Sequence, residues 1–345
     1  MRTLSKIVAC WMALLSLTAC DNRESQDTAG EVNLYSSRHY DTDLALYDDF
    51  TRDTGIQVNR IEAGADELIA RIQSEGESSP ADLLITVDAG RLWRAEQAGI
   101  FQAVNSAVLT ERLPANMRHP EGLWTGLSKR ARVIIYNREA GLPTPLEDYT
   151  DLADPTHAGK VCIRSSSNIY NVSLMASIVA HLGEAAAELW AEGVVRNFAR
   201  TPQSNDTGQI RAVASGECQI AVVNTYYLAR LAASDDPADL AVAEAVGIVF
   251  PGQQGSGTHV NISGAGVVST SPNRDNAIRF LEYLTSDRAQ SLFADGNNEY
   301  PAVPSVGASS KVVALGEFKE DGLNSAELGV HQSTAIMVFD RAGWQ

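Results

Sequence analysis

The sequence predicts an α/β protein with two lobes, each a mainly parallel sheet flanked by helices, and a ligand cleft between the lobes. Two observations support this prediction. Short β-branched runs alternate along the chain with amphipathic segments, which is typical of repeated β-α units and a parallel sheet. Most of the 345 residues lie beyond an N-terminal leader, which leaves enough chain for two separate cores.

The first 20 residues have the features of a secretory signal. Arg2 and Lys6 precede an apolar stretch that is too short to span a membrane. Leu-Thr-Ala-Cys at 17–20 resembles the lipobox of bacterial lipoproteins, which implies cleavage before Cys20 and acylation of its sulfur. We therefore expect a lipoprotein signal peptide over 1–20. Plain secretion is the alternative.

Charge and the residues after the leader indicate where the protein works. The formal net charge is −16 at pH 7, and loss of Arg2 and Lys6 with the leader makes it −18, which argues against nucleic acid as a partner. Polar residues 21–30 are expected to form a flexible tether. Asp21 resembles a retention signal of Gram-negative lipoproteins. We therefore expect a periplasmic protein that is held by its lipid anchor at the outer face of the inner membrane.

The first part of the chain is predicted to contain three strand–helix units. Its second unit, for example, has the apolar strand 56–61 followed by the amphipathic helix 65–75. Helix 41–54 is predicted to end at Gly55, a residue that is common at helix C-termini. The predicted elements in order are strand 32–35, helix 41–54, strand 56–61, helix 65–75, strand 81–87 and helix 88–98.

The second part of the chain begins with a candidate hinge strand over 129–137, which contains the apolar run Val133–Tyr136. Residues 31–132 plus about 250–295 are expected to form the N-terminal lobe, and 133–249 plus about 296–345 the C-terminal lobe. The remaining predicted elements are strand 160–164, helices 172–182 and 184–198, a short helix 209–215, strands 219–223, 245–250 and 264–268, a long helix 276–293, and helices in the last forty residues.

Two cysteines remain once the leader is accounted for. Cys10 leaves with the signal and Cys20 is expected to be acylated, so Cys162 and Cys218 are the candidates for a disulfide. Each lies at or just before a predicted strand in an exported chain, where oxidation is permitted. We favour a disulfide between them. Two buried free thiols are the alternative.

Tyrosines are concentrated at three predicted strand-to-helix turns, at 36–40, 165–170 and 224–227. Ligands of open α/β sheets bind beyond the carboxyl ends of the strands, where all three turns lie. Asn224 or Thr225 is expected to cap the helix that carries the adjacent pair. A tyrosine pair alone is more often ordinary packing, but the joint placement predicts one site. Its candidate members are His39, Tyr40, Tyr170, Tyr226 and Tyr227.

Phenolate oxygens indicate the kind of ligand. A phenolate is a hard anionic donor, and Fe(III) is a hard, highly charged acceptor that favours the phenolate form at neutral pH. Three phenolates would neutralise Fe(III), and a fourth would leave the site at net −1. Arg38 and Arg230 lie close in sequence to these tyrosines and are expected to balance that charge. His39 would add a neutral nitrogen.

The motifs at these turns resemble those of bacterial periplasmic ferric-iron-binding proteins, the substrate-binding components of Fe(III) ABC transporters. The resemblance covers essentially the whole mature chain. It is carried by Ser-Ser-Arg-His-Tyr at 36–40, Ser-Ser-Ser-Asn-Ile-Tyr at 165–170, Asn-Thr-Tyr-Tyr at 224–227, Gly-Thr-His-Val-Asn-Ile-Ser-Gly at 257–264 and Asn-Glu-Tyr-Pro at 298–301.

The resemblance implies a periplasmic-binding-protein fold of type II that carries Fe(III) as transported ligand. It implies the tyrosine-rich branch of the family, with Tyr40, Tyr170, Tyr226 and Tyr227 as ligands, His39 as a fifth and no required anion. Neither Glu62 nor Glu67 is expected to bind iron. The implied partners are an ABC permease and its ATPase, and we expect a monomer without enzymatic activity.

Three other functions are compatible with parts of the sequence. A binding protein for an organic solute, such as a polyamine or thiamine, would have acidic and aromatic residues in its cleft. An iron-sequestering protein would lack a transporter. An exported enzyme is the weakest reading, because the sequence has no HExxH, nucleophile elbow or suitably spaced carboxylate pair.

Overall fold

The computed structural model describes residues 30–38 and 40–345. The signal peptide with Cys20, tether residues 21–29 and His39 lie outside the described residues. Within the described ranges, no helix combines the length and the apolar character needed to cross a membrane.

The strands and helices of the described residues largely follow the predicted order. The strands are β1 (Glu31–Ser36), β2 (Gln57–Glu62), β3 (Leu83–Val87), β4 (Thr125–Asn137), β5 (Val161–Cys162), β6 (Ile220–Asn224), β7 (Val246–Val249), β8 (Val260–Val267) and β9 (Tyr300–Pro301). The α-helices are α1 (Leu44–Thr54), α2 (Ala65–Glu75), α3 (Ala89–Gln97), α4 (Ala107–Arg112), α5 (Ile169–Leu182), α6 (Glu184–Arg196), α7 (Asp206–Ala214), α8 (Thr225–Ala232), α9 (Pro237–Ala245), α10 (Arg274–Leu284), α11 (Asp287–Asn297), α12 (Ser310–Val313), α13 (Ser325–Val330) and α14 (Gln332–Ala342). Short 3-10 turns cover Asp41–Asp43, Gly76–Ser78, Ala115–Met117, Tyr149–Ala153 and Pro155–His157.

The strands pair in the order β2-β1-β3-β8-β4-β6-β5, with β7 and β9 also paired to β4. The β-α units produce the predicted parallel pairs, β1 with β2 and β3, and β5 with β6. The pairs of β8 with β3 and of β4 with β6, β7, β8 and β9 are antiparallel. The α/β class is confirmed, but the sheet is more mixed than predicted, because local periodicity does not specify which distant strands pair.

Strand β4 links the cores of the molecule. Its first part pairs with β8 from Thr125 to Ala131, and its second part pairs with β6 from Arg132 to Tyr136. Leu127 belongs to a core built on β1–β3, α10 and α11, which we call the first core. Ile134 belongs to a second core with α5, α6 and α14, and Val133 to a third with α7 and α8. The strand predicted over 129–137 is therefore the C-terminal portion of the longer β4 and includes the point where its partner changes from β8 to β6.

The helix predicted over 276–293 is wrong in one respect, because two helices, α10 and α11, occupy this region. Ser286 begins α11, and its hydroxyl accepts a hydrogen bond from the backbone N–H of Ala289 at 3.2 Å. The buried Gln290 amide donates to the carbonyl oxygen of Leu284 at 2.8 Å. A capping serine and a satisfied carbonyl at the end of α10 stabilise the break, although the apolar periodicity continues through it.

The predicted disulfide is confirmed: Cys162 and Cys218 are bonded, with their Cα atoms 5.8 Å apart. Cys162 ends β5, and Cys218 lies two residues before β6, its parallel neighbour. The bond therefore closes the loop that contains α5, α6 and α7 across a separation of 56 residues.

Replacing both cysteines with serine is expected to lower the free energy of unfolding of the chain after residue 20 by about 4 kcal/mol, because a loop of this length no longer restricts the unfolded chain. Urea unfolding of the two proteins measures the difference. Reductant should lower the midpoint of the wild-type protein and leave that of the variant unchanged. Equal midpoints for both proteins without reductant would contradict the expected role.

Candidate metal centre

The adjacent tyrosines lie at the start of α8, directly after the buried strand β6. Their ring centroids are 4.2 Å apart. Tyr226 is buried and Tyr227 is partly exposed. Asn224 is the N-cap residue, but the predicted capping hydrogen bond is absent. Its amide oxygen instead accepts a hydrogen bond from Nη1 of Arg132 at 3.1 Å. This oxygen therefore binds a buried cation and not a backbone N–H of the first turn of α8.

Tyr170 lies at the start of α5, whose first turn Asn168 caps by accepting from the backbone N–H of Tyr170 at 3.1 Å. The hydroxyl oxygens of Tyr170 and Tyr226 are 3.4 Å apart. The guanidinium of Arg164 lies over the Tyr170 ring, 5.1 Å from its centroid. Two of the three predicted turns therefore bring their phenols together.

Tyr40 lies just before the 3-10 turn Asp41–Asp43, with extended backbone. Tyr40 and Tyr170 line the same cavity, which has a volume of about 340 Å³ and is also lined by Arg38 and Arg91. The third turn thus contributes its phenol to the same region. His39, the predicted fifth member, is outside the described residues.

Of the two cations predicted to balance the site, Arg38 is buried and Arg230 is exposed. The Arg38 guanidinium carbon lies 4.8 Å from the ring centroid of Tyr40. That of Arg230 lies 5.8 Å from the centroid of Tyr226 and 6.0 Å from that of Tyr227. Both cations are therefore close enough to interact with the aromatic rings.

Arg38 is paired with two carboxylates. Its Nε is 2.8 Å from Oδ2 of Asp43, and its Nη1 is 3.1 Å from Oε2 of Glu299. Glu299 is fully buried. Burial opposes its ionisation, but Arg38 and a second arginine, Arg130, outweigh burial and lower the pKa of Glu299. Sequence reasoning missed this carboxylate although it lies in the quoted motif at 298–301.

Arg130 is a second functional candidate that sequence reasoning missed. It is buried, and its Nη2 donates to Oγ of Ser263 at 2.9 Å and lies 3.5 Å from Oε1 of Glu299. Within the described residues its Nε and Nη1 have no hydrogen-bond partner. Burial disfavours its charge, but Glu299 and the phenols of Tyr170, Tyr226 and Tyr40 raise its pKa. Arginines directly before the apolar run of the predicted strand 129–137 are the signal that could have identified it.

Three phenols of this region, those of Tyr40, Tyr226 and Tyr227, have raised pKa values, which favour their neutral form when no metal is bound. Burial raises the pKa of Tyr40, the Glu299 carboxylate adds to this effect, and Arg38 and Arg130 partly oppose it. Burial likewise raises the pKa of Tyr226 well above its usual value, and it raises the pKa of Tyr227. A bound ion would therefore have to displace protons, which requires a highly charged cation.

The donor set restricts the kind of ion that would fit. In the described part of the chain, no three His, Cys, Asp or Glu side chains are grouped so that they could hold a metal ion. The phenols of Tyr40, Tyr170, Tyr226 and Tyr227 supply hard oxygen donors instead. Such donors suit a hard trivalent cation better than a soft or divalent one. Tyr300, by contrast, packs its ring 5.4 Å from that of Phe318.

The chain is similar in sequence and in structure to several known proteins. A family described as bacterial extracellular solute-binding protein matches residues 78–318. Iron uptake protein A1 of Synechocystis sp. is 53% identical over 322 residues, which cover 92% of this chain and 89% of the relative. The structure of Trichodesmium FutA (IdiA) in complex with iron and citrate superposes with a TM-score of 0.89 at 56% identity, covering 92% of this chain and 100% of the other. Apo FutA2 from Synechocystis PCC6803 superposes with a TM-score of 0.88 at 54% identity, covering 91% and 99%.

Proposed function

Because the chain belongs to the bacterial extracellular solute-binding proteins, we propose that it binds Fe(III) as the iron-capturing component of an ABC importer. The observation that carries this proposal is the convergence of phenols from three separate turns on one region, with the hydroxyl oxygens of Tyr170 and Tyr226 3.4 Å apart. Relatives named for iron uptake, and a similar structure that contains iron and citrate, support the same ligand.

The proposed ligands are the phenolate oxygens of Tyr40, Tyr170, Tyr226 and Tyr227, with His39 as a fifth donor. Fe(III) would meet up to four negative charges, so the site as a whole would carry a net charge near −1. The exposed Arg230 and the buried Arg130, two of whose nitrogens have no hydrogen-bond partner among the described residues, support a stable anionic centre, because both are cations beside the phenols. Arg38 contributes less, since Asp43 and Glu299 already neutralise it.

The proposed lobes are 31–132 plus about 250–295 and 133–249 plus about 296–345. The separation of the first core from the other two supports this division for most of the chain, whereas Ala302, Val303, Ala326 and Leu328 of the last segment pack in the first core. In this division, Tyr40 comes from the first lobe and the other phenols from the second. Asp88, which has a left-handed φ of 82°, accepts a hydrogen bond from Oγ of Ser173 at 2.6 Å and so connects the two proposed lobes.

Small-angle scattering tests closure of the two proposed lobes around the metal. The radius of gyration of the protein should be smaller with iron than without it, and equal values would contradict closure.

The proposed partners and location follow from this role. The protein would act as a monomer that delivers iron to a permease and ATPase complex, and it would have no catalytic activity of its own. In the periplasm, acyl chains on Cys20 would hold it at the outer face of the inner membrane.

Fractionation of expressing cells tests the lipid anchor: the wild-type protein should be found with membranes and the Cys20→Ser variant with the soluble periplasm. Equal distribution of the two would contradict the anchor.

The visible absorption spectrum tests the proposed ligand. The chain after residue 20 is mixed with ferric citrate and freed from excess, and a phenolate-to-iron charge-transfer band is expected. A folded protein that stays colourless and iron-free would overturn the proposal and favour an organic solute as the ligand. Uptake of labelled iron by cells with and without the protein then separates transport from sequestration.

A further inference from the structure

The carboxylate of Asp206 is the centre of a buried network behind the phenols. Asp206 is the first residue of α7 and is fully buried. Its Oδ2 accepts from the backbone N–H of Asn224 at 2.9 Å and from Nη1 of Arg132 at 3.3 Å. Its Oδ1 accepts from Nη1 of Arg164 at 3.4 Å. One carboxylate thus holds two guanidinium groups and one backbone amide.

Two partners of Asp206, Asn224 and Arg164, lie in or contact the turns that carry Tyr226 and Tyr170. Asn224 lies two residues before Tyr226. The hydrogen bond from its backbone N–H to Asp206 therefore fixes the backbone that positions the Tyr226 ring. The guanidinium of Arg164 lies over the ring of Tyr170. A carboxylate buried between these contacts connects the two turns, which are 56 residues apart in the chain.

Arg132 adds a second link between the same turns. Its Nη1 donates to Oδ1 of Asn224 at 3.1 Å, and its Nη2 donates to Oδ1 of Asn171 at 2.7 Å. Asn171 directly follows Tyr170. Within the described residues the Nε atoms of Arg132 and Arg164 have no partner, and Nη2 of Arg164 donates to the carbonyl oxygen of Ser204, so donors outnumber acceptors even with the carboxylate in place.

We propose that Asp206 is a positioning residue for the metal centre, which holds the phenols of Tyr170 and Tyr226 at the separation that lets both bind one ion. This role rests on the proposed function. Without the carboxylate, two buried guanidinium groups lose their common acceptor and the backbone N–H of Asn224 loses its partner. The two turns are then free to shift relative to each other.

An effect of charge alone would have the opposite sign. A buried carboxylate near phenols disfavours their ionisation, so removing only its charge would make phenolates easier to form and bind Fe(III) more tightly. Loss of positioning weakens binding instead. The direction of the change in affinity therefore distinguishes the two roles.

Asp206→Asn is compared with the wild-type chain after residue 20 in competition with a chelator for Fe(III). We expect Fe(III) to bind about 10-fold to 100-fold more weakly, the range for loss of a group that supports a ligand. The charge-transfer band should remain but shift, because the phenolates are retained in altered geometry. Asp49→Asn is the matched control, since Asp49 is also buried and paired with two arginines, Arg52 and Arg288, but lies in the first core region beside Tyr283.

The control should bind iron as the wild-type protein does, even if its unfolding temperature falls. Unchanged or tighter binding by Asp206→Asn would overturn the positioning role and leave the proposed function intact. A wild-type protein without the band would overturn both. If Asp206→Asn does not fold, Asp206→Glu replaces it, because it keeps the charge and displaces only the carboxylate oxygens that hold Arg132, Arg164 and the backbone of Asn224. Weaker binding with a shifted band is again expected, and unchanged binding would overturn the role.

Discussion

Replacing Tyr226 and Tyr227 together with phenylalanine is expected to abolish Fe(III) binding, with a loss of affinity greater than about 100-fold. The change removes two hard anionic donors, whereas loss of an outer partner alone costs up to about that factor. The rings themselves stay, so the packing of the buried Tyr226 is preserved. The charge-transfer band after loading with ferric citrate measures the loss directly.

Tyr300→Phe is the matched control for this variant. Tyr300 is also partly buried and packs on Phe318, but within the described residues its hydroxyl has no hydrogen-bond partner. Its removal should change neither the band nor the affinity. A Tyr226→Phe/Tyr227→Phe protein that still shows the wild-type band would exclude this pair as the iron ligands.

Acidification is expected to weaken Fe(III) binding steeply. Burial raises the pKa of Tyr40, Tyr226 and Tyr227, so these phenols are protonated in the iron-free protein at neutral pH. Each phenolate that binds iron releases one proton, and each released proton lowers the apparent affinity about tenfold per pH unit as the pH falls. Competition with a chelator of known protonation between about pH 6 and pH 8 measures the slope.

A variant that lacks one of the phenols tests whether the slope of Fe(III) affinity against pH counts the phenolate ligands. Tyr40→Phe should reduce the number of released protons by one and flatten the pH dependence accordingly. A slope near zero for the wild-type protein would mean that the phenols do not bind as phenolates.

The stability of the iron-free protein depends on pH in the opposite direction. The raised phenol pKa values contribute stability that is present below about pH 10 and is lost as the pH rises through the folded values.

The charge environment gives these predictions their physical basis. Arg38 and Arg130 share the buried Glu299, and on the other side Arg132 and Arg164 share Asp206. On the Asp206 side two arginines surround one buried carboxylate, which leaves excess positive charge near the phenols, whereas on the Glu299 side Asp43 also pairs with Arg38 and offsets its charge. This arrangement suits a centre that becomes anionic when a trivalent cation has replaced the phenol protons.

Much of the fold follows from local sequence patterns, as particular elements illustrate. Helix α1 ends at Gly55, which has a left-handed φ of 74°, as the glycine predicted. Helix α2 has the predicted bounds Ala65–Glu75, because its apolar residues recur with helical spacing. The break between α10 and α11 was missed, since a partly buried serine cap competes with a periodicity that is apolar on both sides of it.

The sequence by itself determined the class of fold and predicted the candidate donors. Tyrosines at three strand-to-helix turns are visible in the chain because turn position and side-chain chemistry are local properties. Only the tertiary structure decided which buried arginines and carboxylates surround these tyrosines. Arg38 meets Glu299 across 261 residues, and Arg130 and Asp206 gain their roles through burial and long-range pairing. No local pattern specifies which distant carboxylate a buried arginine meets, since that depends on how the sheet assembles around β4.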